Sequence, residues 1–162
     1  MDQRIEKLMA FLDRSHSVFH AVAALEEELK TEGYSLLRES EQWELVPGGK
    51  YYLVRGGTTL LAFRIPEVTP LGFMMSACHT DRPTFKLKEN CELRGIYTRL
   101  ATEGYGGMII SSWMDRPLSI AGRVMVETEN GVDGKLINNV DFGFQRQISD
   151  IIYFATAIPN GD

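Results

Sequence analysis

His79 and Asp81 are the residues of this chain best placed, by type and spacing, to do chemistry. They stand two apart at the end of an apolar run (Phe73, Met74, Met75, Ala77, Cys78), and Pro83 follows. The run reads as a buried central strand over residues 73–78, apolar on both faces. Pro83 is expected to stop any further regular pairing. Residues i and i+2 of a strand share a face, and the carboxyl end of a strand in an α/β sheet opens on a crevice. A neutral imidazole is a zinc ligand. A carboxylate on its other ring nitrogen fixes the tautomer and strengthens the donor. The bland alternative is a loop His capped by its neighbouring Asp. A hydrolytic zinc site needs three or more protein ligands and a carboxylate base. No His follows Asp81, and no spacing favours Glu103, Asp115 or Asp141 as the missing carboxylates. The site is therefore expected to be underfilled.

Other groupings have simpler readings. His16 and His20 are four apart, as a helical metal pair would be, but no Glu stands between them in the metalloprotease arrangement. A capping-loop His and a partly buried helix His explain them better. Gly104-Tyr105-Gly106-Gly107 lacks the Lys-Ser/Thr ending of a phosphate loop and reads as a flexible bend. Asp115 and Arg116 suggest a surface ion pair worth about 0–1 kcal/mol. Glu26, Glu27 and Glu28 read as a solvated helix face. Cys78 reads as a small core hydrophobe, and Cys78 and Cys91 together fit a reducing compartment with no zinc-finger spacing.

The elements that must position these groups start with helices. Ile5, Leu8, Met9, Phe11 and Leu12 recur at helical spacing over residues 3–12. After a break at residues 13–17, Ser15 or Ser17 could cap a second helix, and Gly33 would follow it as a C-cap. Residues 50–55 and 58–65 are β-rich runs around Gly56-Gly57, a hairpin signal. Residues 91–96 and 118–128 read as strands. Asn130-Gly131 is a turn leading to a paired strand over 134–137, and residues 148–158 form an apolar run with little left to cover it.

The 162 residues suffice for one domain or one and a fraction. With 44% hydrophobic and 24% charged residues the composition is that of a globular protein. A net charge of -5, with no Lys/Arg stripe, argues against a nucleic-acid surface. No apolar run approaches the roughly 20 residues that span a bilayer. The charged start, M-D-Q-R-I-E-K-L, has no signal-peptide core, so the cytoplasm is the expected location and no membrane partner is expected.

Several segments together resemble the aspartyl aminopeptidase (aminopeptidase I) family of zinc metallopeptidases. S-H-S-V-F-H-A-V (residues 15–22) is similar to its N-terminal S-P-S-P-F-H-A-V. W-E-L-V-P-G-G-K-Y-Y (43–52) and L-L-A-F-R-I (60–65) resemble its early strands. C-H-T-D-R-P-T-F-K-L-K (78–88) resembles its metal motif, and Y-G-G-M-I-I-S-S-W-M-D-R-P-L-S-I-A-G-R-V (105–124) the opening of its inserted domain.

The resemblance implies an α/β fold: the N-terminal part of a zinc-peptidase-like α/β sandwich over residues 1–90, then the start of a β-rich inserted dimerisation domain over 91–162. It implies a di-zinc exopeptidase that releases N-terminal, preferentially acidic, residues from peptides. It also implies a homo-oligomer built from dimers. His79 matches a zinc ligand and Asp81 the carboxylate that orients it. The family's remaining ligands and Glu base lie downstream of the matched part, so the chain alone is expected to be inactive, with at most one weak zinc site, through His79. Three positions depart from the pattern. Arg82 replaces a small residue, Pro117 an acidic one, and Tyr153 stands where a His is usual. The alternative reading is a non-catalytic assembly or regulatory module that uses the apolar run 151–158 as an interface.

Overall fold

The structure, a computed structural model, describes residues 2–69, 72–97, 99–114, 118–129, 131–138 and 153–159, the last segment as backbone. The chain forms two compact units, Met1–Thr80 and Asp81–Asp162. Helices and sheets in one chain give the expected α/β class.

In the first unit, α1 (Gln3–Arg14) starts at Asp2, whose side chain accepts from the Arg4 N–H. It stops at Ser15, whose hydroxyl turns back to donate to the Phe11 carbonyl at 2.7 Å. Two residues later Ser17 caps α2 (Val18–Thr31) by accepting from the His20 N–H. Glu32 ends α2, and Gly33 beyond it takes φ +81°. The Gly33 N–H donates to the Lys30 carbonyl and the Tyr34 N–H to the Leu29 carbonyl. This is the paired closure of a Schellman motif, which favours glycine because a Cβ is costly at that φ. The acidic face of α2 is less idle than expected. Arg14 reaches Glu27 at 2.9 Å and Glu28 at 3.2 Å, fastening α1 to α2. Glu26 accepts from the Tyr52 hydroxyl at 3.4 Å.

The sheet of this unit has the order β1 (Ser35–Leu36), β2 (Lys50–Arg55), β3 (Thr59–Arg64). β1 runs parallel to β2. β2 and β3 form the expected hairpin, pairing from Lys50↔Arg64 to Arg55↔Thr59. Gly56 and Gly57 both take positive φ, which their lack of a Cβ permits. The core combines Ala21, Val22 and Ala24 of α2 with Tyr51, Tyr52 and Leu53 of β2. Tyr52 and Val22 are fully buried.

Residues 73–78 are not the buried strand that their composition suggests. They pair with no strand among the described residues, and Phe73, Met74 and Met75 are 90–103% exposed. The reason lies in the backbone. A strand forms where its N–H and C=O rows find a ladder, and apolar side chains do not supply one. Cys78 is correspondingly exposed and not a core residue.

The second unit is a five-stranded antiparallel sheet of order β5-β4-β8-β6-β7. Its strands are β4 (Thr84–Leu93), β5 (Arg99–Tyr105), β6 (Leu118–Thr128), β7 (Gly131–Ile137) and β8 (Tyr153–Pro159). Pro83 does not end regular pairing. It stands just before β4, where a missing N–H removes no ladder bond. The candidate strand over 91–96 is the end of β4, which runs through residue 90 and stops at Leu93. β6 has the expected bounds, and its partner β7 begins directly at Gly131. The apolar run near the end contributes β8 where it is described. β8 is paired on one edge to β4 and on the other to β6. Residues 148–152 lie outside the described part. Ile120, Ala121 and Val124 of β6 form the core here, with Ser119 and Thr84 also buried.

Gly33 isolates one conformational term, because a Cβ added there would meet nothing within 4 Å. In urea unfolding, Gly33→Ala is expected to lose about 1 kcal/mol from the left-handed backbone alone. Gly33→Asn should lose less. Equal stability of Gly33→Ala and the parent chain would show that the α2 terminus does not rely on this cap.

Candidate functional site

The first unit ends on the candidate motif. His79 is exposed, and Thr80 donates its hydroxyl to the Thr58 carbonyl at 2.8 Å, which ties the segment to the β2–β3 loop. Asp81 opens the second unit and is partly buried. Its Oδ2 accepts from the Tyr105 hydroxyl at 2.6 Å. That bond, and the carboxylate charge behind it, raise the Tyr105 pKa above its ordinary value, because a phenolate could neither donate nor tolerate the neighbouring charge.

The strand ends hold Tyr105 in place. Tyr105 is the last residue of β5 and pairs across the ladder with Thr84, the first of β4. Thr84 is only 3% exposed, whereas Tyr105 is on the surface. Lys86 lies on β4 with its Nζ 3.6 Å from the centre of the Tyr105 ring. Gly106 takes φ +73°, and a Cβ there would come to 3.5 Å from Pro83. The Gly104–Gly107 stretch is thus the end of a strand and its exit. Phe85 meets Trp113 edge-to-face at 5.3 Å between ring centres. In the sequence Tyr105 stood out only as part of a glycine-rich bend and as the start of the segment resembling the inserted domain, not as a partner of Asp81. The signal it had was an aromatic closing the run R-L-A-T-E-G-Y.

His79 lies in the first unit and Asp81 in the second, and an imidazole is a donor type that zinc takes. Among the described residues no three His, Cys, Asp or Glu side chains come together as a metal-binding group. Glu103 sits on β5 opposite Lys86 and joins no such group. Asp115, Arg116, Pro117 and Asp141 lie outside the described residues. Arg82 is exposed, and Tyr153 is the first residue of β8.

His16 and His20 do not share a helix face. His16 lies in the link before α2 and His20 in its first turn. Their rings meet edge-to-face at 5.8 Å, and His20 Nδ1 is 2.8 Å from the Ser17 hydroxyl. This is a capping arrangement.

Residues 11–145 match the family model described as aminopeptidase I zinc metalloprotease (M18). A probable M18 family aminopeptidase 2 of Clostridium novyi (strain NT) is 41% identical over 138 residues, which are 82% of this chain and 32% of that protein. The chain therefore spans about a third of the length of the curated relatives it matches. Among solved structures, Chaetomium thermophilum mApe1 superposes with a TM-score of 0.77 at 31% identity, over 82% of this chain and 32% of that one. The S. cerevisiae mApe1 dodecamer gives a TM-score of 0.69 at 24% identity over 86% and 34%, a likeness of fold. No helix among the described residues is long and apolar enough to cross a membrane.

His20 carries a pH dependence of its own. Burial, and then the charge of His16 beside it, lower its pKa below the ordinary 6.5. The fold prefers the neutral ring, so as pH drops below 6.5 the unfolded chain takes up a proton that the folded chain refuses. The contribution is intact above that pH and is lost as pH falls from the unfolded pKa toward the folded one. Urea unfolding across this range should show stability falling with pH, with a shallower slope in His20→Asn. A slope indifferent to that substitution would assign the dependence to other groups.

Proposed function

This chain belongs to the aminopeptidase I (M18) family of zinc metalloproteases, and from that premise we propose that it contributes the first metal arm of a zinc-dependent aminopeptidase. The observation that carries the reading is that the matched span, residues 11–145, contains the His79-Thr80-Asp81 motif. In this reading His79 donates to zinc, and Asp81 holds the imidazole in the tautomer that leaves one nitrogen free for the metal. Zinc, when bound, polarises the scissile carbonyl and makes a bound water acidic enough to attack.

The complete site holds two zinc ions and acts on peptides with a free N-terminus, preferring acidic first residues. Residues 1–90 belong to its catalytic domain and 91–162 to a β-rich dimerisation domain. The assembly is a homo-oligomer, a reading supported by the dodecameric state of the S. cerevisiae structure of the same fold. The protein works in the cytoplasm, and the 162 residues alone are inactive.

Metal analysis and peptidase assays on the purified chain test this reading. One weakly held zinc per chain is expected, lost in His79→Ala, with no release of N-terminal Asp or Glu. Full peptidase activity that disappears in His79→Ala would overturn the claim of inactivity and keep the metal assignment. Tight zinc binding unaffected by His79→Ala would overturn the assignment itself.

A further inference from the structure

We propose that the outer edge of β7 (Gly131–Ile137) is the surface through which two copies of this chain pair, strand against strand and antiparallel about Gly134. The proposal gives a surface to the homo-oligomer proposed above and rests on that reading for the expectation of a partner.

β7 ends the order β5-β4-β8-β6-β7, so among the described residues it is paired on its β6 side alone. An edge of this kind offers its amides and carbonyls to another chain. The Gly134 N–H is taken up by the Asp133 side chain at 2.8 Å, as an amide on an open edge is. Alternate residues of a strand turn N–H and C=O to the same edge, so Val132 and Leu136 present theirs beside Gly134.

The order of the residues selects the partner. β7 reads G-V-D-G-K-L-I, and a two-fold axis at Gly134 sets each residue opposite the one at equal distance on the other side. Asp133 then faces the partner's Lys135, and Lys135 faces the partner's Asp133. Val132 faces the partner's Leu136, and Leu136 faces the partner's Val132. Opposed residues lie on one face of the sheet. One face therefore gains ion pairs, and the other gathers apolar side chains that stand 64% (Val132) and 42% (Leu136) exposed in the single chain. Val132, Gly134 and Leu136 exchange the backbone bonds, which leaves Asp133 and Lys135 at the non-hydrogen-bonded positions, where opposed side chains come closest. The Gly134 N–H passes from the Asp133 side chain to the partner's Gly134 carbonyl, which releases Asp133 for the partner's Lys135. The other edge of the sheet lacks this match. The same operation on β5 about Thr102 sets Arg99 against Tyr105, Leu100 against Gly104 and Ala101 against Glu103, with no charge pair. Pairing β7 with β7 uses one patch on both subunits, so it closes at a dimer.

Sedimentation equilibrium tests the pairing on the 162-residue chain, with circular dichroism as the check of folding. The parent, Asp133→Lys, Lys135→Asp, the double substitution and an equimolar mixture of the two single variants are compared. The parent is expected to dimerise. Each single substitution sets like charges opposite each other on both sides of the axis and should weaken the dimer about tenfold. The double substitution restores opposite charges and should recover the parent's association. The mixture should form a heterodimer, because an edge with two lysines meets an edge with two aspartates.

A chain that stays monomeric at every concentration overturns the proposal and the homo-oligomer reading with it. Dimers indifferent to both single substitutions overturn the β7 edge and leave the homo-oligomer standing. A loss confined to Asp133→Lys assigns the effect to the Asp133–Gly134 bond within one chain and overturns the register. Losses in both single variants that neither the double substitution nor the mixture repairs also overturn it. Both positions are exposed, and each single variant is an independent reading, so one that fails to fold leaves the other to decide.

Discussion

β8 makes one sheet out of two hairpins. β4 pairs with β5 and β6 with β7, and only β8 joins the pairs. Its register with β6 runs from Leu118↔Pro159 to Val124↔Tyr153. On its other edge it meets β4 at Phe85↔Ala157 and Lys86↔Thr156. Those two β4 residues also face Gly104 and Glu103 of β5. The beginning of β4 is therefore the part held on both edges. Asp81 lies three residues before that strand, and Lys86, which covers the Tyr105 ring, is one of the doubly paired residues. The stiffness of the sheet is delivered where the candidate carboxylate sits.

The same requirement for backbone partners explains the opposite outcome at residues 73–78. Their side chains are as apolar as those of β6, and β6 is buried through Ser119, Ile120, Ala121 and Gly122. What differs is the ladder. β6 has β7 on one side and β8 on the other, whereas residues 73–78 have no strand beside them among the described residues. Apolar composition states what a segment would gain by burial. It does not say whether a neighbour exists to take up its amides and carbonyls.

That distinction separates what the sequence showed from what it hid. The two helices were legible because their limits are set locally, by Ser17 at one end of α2 and Gly33 at the other. The β2–β3 and β6–β7 hairpins were legible through Gly56-Gly57 and Gly131, where turn chemistry lies within a few residues. β5 was missed because R-L-A-T-E-G-Y has little apolar alternation, and its place depends on β4. The centrality of β8 was missed because no local pattern encodes insertion between two distant strands. The candidate site divides in the same way. His79 and Asp81 announced themselves by type and spacing, while Tyr105 is brought to Asp81 by a strand register that no window of sequence contains.

The β4–β5 ladder also explains how such a contact can be kept while the hairpin varies. The register is regular from Thr84↔Tyr105 to Leu87↔Thr102, shifts between Leu87 and Glu92, and resumes at Glu92↔Leu100. A bulge of this kind absorbs extra residues locally and leaves the ladder beyond it in step. Changes near the turn, around residues 94–97, are thereby insulated from the end that carries Tyr105. The Asp81 and Tyr105 motifs, read in sequence as a catalytic segment and an architectural one, are physically one feature. The strand pairing that builds the second unit also brings the Tyr105 hydroxyl to Asp81.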